Sequence, residues 1–213
     1  MHEVKRVFED RFIVEEDTIL FRNILKEAIS KTIGDFPEKD NPFVEPIIYN
    51  TFMSEFYSSV DDMVELRRTM KDRLDEYNEM KAQMNLVLFD QAIEHVTRIA
   101  RIIELPAGHS LLVGVGGSGK QSLARLATFI LGYEMEQMIV TQSFNMGDLR
   151  NYLSEMFRKL SKPNSSVRVY MVTDSQIKND QFLIPINDML NSGWVSDLFT
   201  KEDFDALVNM IRN

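Results

Sequence analysis

The chain has 213 residues, 44% of them hydrophobic and 27% charged, with a net charge of −9 and no cysteine. That length holds one domain, or one plus a smaller appendage. The acidic balance argues against duplex nucleic acid and anionic membrane surfaces as partners, since both are held by Lys and Arg; the lack of cysteine excludes disulfides and zinc–thiolate clusters. His2, His95 and His109 are scattered without ligand spacing and are expected at the surface or in caps. No apolar run approaches the roughly 18 residues of a membrane span. The N-terminus MHEVKRVFED is charged, with neither a signal-peptide core nor a Met-Gly start, so a reducing, intracellular compartment is expected.

Residues 1–33 place Val4, Val7 and Phe8, then Leu20, Ile24, Leu25 and Ile29, at helical spacing. Two amphipathic helices are predicted, with a break near Glu15 to Asp17. Residues 34–50 hold three of the six prolines. Proline fixes φ and removes a donor, so this stretch reads as an irregular connector and a domain boundary. SSVDDMVELRRTMKDRLDEYNEM reads as one long helix capped by Ser59 or Asp61, with Met63, Leu66, Met70, Leu74 and Tyr77 as its apolar stripe. The thirteen methionines read as soft core filler. A second helix, FDQAIEHVTRIARIIEL, is ended by Pro106 and Gly108.

From residue 110 the pattern becomes α/β. SLLVG predicts a short buried strand, residues 119–131 a helix, Gln137 to Thr141 a second strand and GDLRNYLSEMFRKL a helix; VRVYMVTD predicts a third strand, and FLIPINDMLNSG begins another helix. Strands alternating with helices imply a parallel sheet with right-handed crossovers. Three strands are few for such a sheet, so an incomplete core preceded by an α-helical region is expected.

Gly114-Val115-Gly116-Gly117-Ser118-Gly119-Lys120 fits G-x-x-x-x-G-K, with a strand pattern before it and a helix pattern after it. Glycines let successive N–H groups turn inward onto phosphate oxygens, the helix adds its positive end, and Lys120 supplies a cation for the terminal phosphates. The next position normally offers a Ser or Thr hydroxyl to magnesium; here Gln121 offers a longer amide, a poor metal ligand. Ser122 follows about 100° further round the helix. The candidate nucleotide site is thus the loop with Gln121 and Ser122.

VRVYMVTDSQ is an apolar strand pattern ending in Asp174, one strand–helix unit downstream of the loop. That position suits the aspartate that holds magnesium through water; the competing reading is an aspartate capping the next turn. Hydrolysis also needs a base beside the metal. The neighbours are Ser175 and Gln176. Neither is a base at neutral pH, and the water-orienting role open to Gln176 is slow by itself. No catalytic residue is assigned.

MNLVLFDQAIEHVTRIARIIELPAGHSLLVGVGGSGKQSLARLA, the pairing of GVGGSGKQSL with MVTDSQ, and INDMLNSGWVSDLF resemble the fourth AAA+ module of axonemal dynein heavy chains. HEVKRVFEDRF resembles the helical lid of the preceding module. The resemblance covers essentially the whole chain. It implies a lid remnant at residues 1–40, a linker and long helix at 41–84, and a partial large subdomain at 85–213. It also implies that Arg6 is a lid arginine, and that adenine packs on the stretch Asn85 to Phe89, with Val87 and Leu88 as candidates. The family usually has Gly-Glu-Ile-Pro where this chain has Gly193-Trp194-Val195-Ser196. The implied cofactors are ATP or ADP with magnesium. The implied partners are the other AAA+ modules of the dynein ring, with microtubules reached only through the full-length motor. The implied location is the cytoplasm and the axonemal cytoskeleton of the cilium. With both catalytic positions altered, the expected role is regulatory, with weak or no hydrolysis. The competing functions are an active P-loop ATPase and a structural fragment that binds no nucleotide alone.

Overall fold

The computed structural model describes residues 12–34, 48–54, 56–60, 62–162 and 165–212. Arg6, the first expected helix and most of the proline-rich connector lie outside the described residues. Helix α1 (Glu15–Thr32) begins inside the expected break, with Glu15, Glu16 and Asp17 in its first turn and Lys31 in its last. That charge order suits the helix dipole. None of its residues is buried.

A short antiparallel pair follows, β1 (Tyr49–Asn50) with β2 (Ser58–Ser59). Helix α2 (Met63–Met80) is capped by Asp62, whose carboxylate accepts from the amides of Val64 at 2.7 Å and Glu65 at 3.3 Å. The cap therefore lies one residue past the expected Asp61, and Ser59 belongs to β2. The expected stripe does face the core: Leu66, Met70, Leu74 and Tyr77 are buried, with Met63 packed beside them. Helix α3 (Asp90–Glu104) stops where Leu105 turns extended ahead of Pro106. At Gly108 a Cβ would lie 1.8 Å from the Ile102 carbonyl oxygen, so only glycine lets the chain pass the helix end this closely.

Helix α4 (Lys120–Ile130) lies against α2 and α3. Leu123, Leu126, Ala127 and Ile130 meet Leu66, Met70, Ile93, Val96 and Ala100 in the first core, and Tyr77 meets Phe129 edge-on with ring centroids 5.2 Å apart. The segment 110–114 is not part of a sheet. The expected burial is not found: only Leu112 reaches the core, while Leu111 and Val113 are 86% and 85% exposed. A parallel strand needs a ladder partner and cover on its faces, and no described strand pairs with this one.

The sheet that forms is β3 (Glu134–Glu136) parallel to β4 (Arg168–Tyr170), in register Glu134↔Arg168 to Glu136↔Tyr170. The second strand thus lies upstream of the expected Gln137 to Thr141. Glu134 and Glu136 share one face by the period of two, and the Arg168 guanidinium pairs with both, at 2.6 Å and 2.5 Å. The apolar residues that suggested the later position, Met138 and Val140, instead feed a second core with Leu149, Leu153 and Met156 of helix α5 (Met146–Leu160). An Asn145–Asp148 capping box opens α5.

After β4 come two 3-10 turns, Asp174–Gln176 and Asp180–Phe182, then helix α6 (Leu183–Ser192), which Gly193 ends at φ +69°. Helix α7 (Lys201–Arg212) has no counterpart in the sequence reading. It is held by the Arg158–Asp203 ion pair at 2.8 Å, whose hydrogen bond is the main cause keeping the Asp203 carboxyl below its ordinary range. It is also held by Trp194, which lies 5.9, 5.8 and 5.2 Å from the rings of Phe157, Phe199 and Phe204. The departure at Gly193 to Ser196 therefore supplies an aromatic anchor, and Val195 beside it is buried. Phe204→Ala should loosen α7 by about 0.5–1.5 kcal/mol, the worth of such an aromatic pair. Trp194 is the chain's one tryptophan, so its emission should shift to the red; an unshifted spectrum would contradict the docking. Among the described residues no helix is long and apolar enough to cross a membrane.

Candidate nucleotide-binding site

The loop from Gly114 to Gly119 runs from the extended segment 110–114 into α4. Gly117 and Gly119 take φ of +78° and +77°, a left-handed conformation that glycine reaches without steric cost. Gly119 is the residue that caps α4, and it brings no side-chain hydrogen bond; the first turn contains no acid. The contrast with α2 and α5 is informative. Both are closed by a capping side chain and carry an acid in the first turn. The first amides of α4, on Lys120, Gln121 and Ser122, thus keep their positive end for an external anion. The Lys120 ammonium donates to the carbonyls of Gly114 and Val115, both at 2.7 Å, and to the Ser118 hydroxyl at 3.3 Å. It therefore folds back over the loop. Val115, Gly116 and Ser118 are exposed along the loop, Gln121 is exposed beside it, and Ser122 is half-buried.

On the far side of the loop the side chain nearest Gly119 is Leu86, 3.6 Å from where a Cβ there would sit. Leu86 and Leu88 pack on the first core, whereas Val87 between them is 77% exposed. The alternation 86/88 inward and 87 outward is that of an extended segment. Leu86 had not been singled out among the residues of this stretch; its period-two relation to Leu88 was the available signal. Leu86 and Leu88 also line an open cleft of about 600 Å³ against Arg67, Arg68 and Lys71 of α2.

Asp174 opens the turn that follows β4 and is exposed. Its carboxylate takes no hydrogen bond or ion pair among the described residues, and it makes none with Lys120. The turn closes instead through the Gln176 amide on the Thr173 carbonyl, 2.9 Å, so the capping reading of Asp174 is not realised. Ser175 is exposed, its hydroxyl 3.1 Å from that of Thr173. Gln176 is buried with both ends of its amide engaged: Nε2 donates to the Met138 carbonyl, and Oε1 accepts from Thr173 N at 2.8 Å and Thr173 Oγ1 at 3.1 Å. It is therefore not available to orient a water, which corrects the role left open for it above. Magnesium commonly takes one or two carboxylates and completes its shell with phosphate oxygens and water. Asp174 is an exposed carboxylate with no partner among the described residues, a donor of the kind magnesium takes, although no described contact joins it to the loop.

These features define a class: a P-loop module of α/β type. The model of the family described as "P-loop containing dynein motor region D4" matches residues 84–213. The chain is 44% identical to the dynein beta chain, flagellar outer arm, of Chlamydomonas reinhardtii. It is 40% identical to the dynein alpha chain, flagellar outer arm, of the same species and 40% identical to dynein axonemal heavy chain 11 of Sus scrofa. Each alignment covers 100% of this chain and 5% of the relative. The chain belongs to the dynein heavy-chain family and contains its AAA+ P-loop motor region D4, spanning about 5% of the length of those relatives.

Proposed function

We propose that the chain is the nucleotide-binding part of an axonemal dynein module that regulates hydrolysis elsewhere in the motor and turns over little ATP itself. Gly114 to Ser122 hold the phosphates of ATP or ADP, and Lys120 exchanges its carbonyl partners for phosphate oxygens. Asp174 holds magnesium through water, and the base lies on the Leu86 to Leu88 side of the loop. The observation that carries this reading is the bare N-terminus of α4, with neither a capping side chain nor an acid, directly behind two left-handed glycines. Magnesium, when bound, supplies charge neutralisation of the phosphates; the chain's own residues bind and orient. The weak-hydrolysis reading is supported by Ser175 standing where a carboxylate base is needed and by Gln176 being occupied within the fold. Its relatives are named as flagellar outer-arm and axonemal dynein chains, and the proposed setting is an axonemal motor that supports microtubule-based motility. There it borders other AAA+ modules of the ring and reaches microtubules only through the full-length chain, without nucleic acid or membrane as partner.

The test is titration of the chain with ATP and ADP, with and without magnesium, alongside steady-state phosphate release. Binding with turnover well below about 1 s⁻¹ is expected, and Gln121→Thr should increase the magnesium dependence of ATP affinity by restoring a short hydroxyl ligand. Turnover at or above about 1 s⁻¹, within the usual enzyme range, would favour the active ATPase. One observation favours the structural-fragment reading: Leu111, Val113 and Val115, leading into the loop, are 86%, 85% and 78% exposed. A loop that orders only once that row is covered would bind no nucleotide in this chain, and the same titration decides it.

A further inference from the structure

We infer that Gln176 is a positioning residue for Asp174, with Lys178 as a second strap: together they hold the turn after β4 so that the Asp174 carboxylate stays free for a hydrated divalent cation. The inference rests on the nucleotide reading above.

Gln176 is 6% exposed, while Asp174, Ser175 and Lys178 around it are exposed. Burying a primary amide is costly unless its hydrogen bonds are made. Here its donor end reaches the Met138 carbonyl and its acceptor end takes both the amide and the hydroxyl of Thr173. Met138 is a fixed anchor, buried in the second core and touched at its sulfur by the Tyr170 hydroxyl at 3.4 Å. Two residues on, the Lys178 ammonium donates to the carbonyls of Thr141 and Gln142, the latter at 2.6 Å. The turn is thus tied twice to the segment that leaves β3.

An aspartate after a strand commonly spends its carboxylate on the next amides. Gln176 makes that unnecessary, because its own backbone amide, two residues after Asp174, is already taken by the Thr173 carbonyl, while its side chain holds Thr173 N and so fixes the turn. Asp174 is left at the carboxyl end of a parallel strand, the end at which open α/β sheets hold their ligands. The same buried amide that is lost to water chemistry therefore serves metal chemistry indirectly.

The experiment uses the full chain. ATP affinity is measured with and without magnesium for wild type, Gln176→Met and Lys178→Ala, together with amide hydrogen exchange. Gln176→Met, unbranched and of similar length, should keep the magnesium-free affinity and lose about tenfold of the gain that magnesium confers, the low end for removing a group that orients a metal ligand. The Thr173 amide should lose protection while the Met171 amide, bonded to the Glu136 carbonyl, keeps it. Lys178→Ala, an exposed change safe for folding, should lose a smaller part of the gain and decides the matter if Gln176→Met does not fold. A full magnesium gain in both variants overturns the inference alone. A wild-type chain that binds nucleotide without any magnesium gain overturns it too, and one that binds no nucleotide overturns the functional reading together with it.

Discussion

Lys120→Ala is expected to weaken nucleotide binding about tenfold or more. Lys120 is the one cation between Gly114 and Ser122, and its ammonium already lies over the loop on the Gly114 and Val115 carbonyls. A charge-assisted hydrogen bond of this kind is worth roughly 1.5–3 kcal/mol, and about 1.4 kcal/mol is tenfold in affinity. The amides of the loop and of the first turn of α4 remain, so binding should weaken rather than vanish. Titration calorimetry on the variant, with circular dichroism to verify the fold, measures the loss. An unchanged affinity would show that the loop is not the site. The variant also removes the tie between the ammonium and Gly114, so exchange at the loop amides should rise even without ligand.

Leu126→Ala should cost about 2–5 kcal/mol of stability, a large share of the roughly 5–15 kcal/mol typical of a domain. Leu126 lies in the helix that the loop opens and is fully buried in the core shared with α2 and α3. Neighbours there include Met70, Ile93 and Val96, each without exposed surface, so collapse onto the void needs movement of whole helices. Urea unfolding followed by circular dichroism should show a lower midpoint with an unchanged slope. A loss below about 1 kcal/mol would mean that this core is looser than its burial implies. The functional consequence is on the same helix: if α4 frays, its first amides no longer converge on an anion, and nucleotide affinity should fall with stability.

Both expectations depend on features that differ in how far they could be read from residue order. The helices α2, α3 and α4 were legible because each carries a periodic apolar stripe, and a stripe is a local signal. The loop was legible because glycine and lysine at fixed spacing have few other uses ahead of an apolar helical run. The cap of α2 was misplaced by one residue because Asp61 and Asp62 are chemically the same, and only the carboxylate that meets the amides of Val64 and Glu65 acts as the cap. Helix α7 was missed because its anchor is formed by Trp194, Phe157, Phe199 and Phe204 from separate elements.

Residue order by itself determined the glycine–lysine loop, the helical stripes, the parallel relation of β3 and β4 and the absence of a carboxylate directly after Asp174. Each depends on spacing within one segment or on alternation along the chain. Tertiary structure decided which residues of the second strand enter the ladder, because Arg168, more than thirty residues away, bridges Glu134 and Glu136. It decided that Leu111 and Val113 stand in solvent, because burial of a strand requires neighbours that no pattern within the strand can supply. It also decided that Asp174 is free and Gln176 is not. Both are polar residues in one short turn, and only the position of the Met138 carbonyl, set by the packing of the second core, selects the amide that is drawn inside.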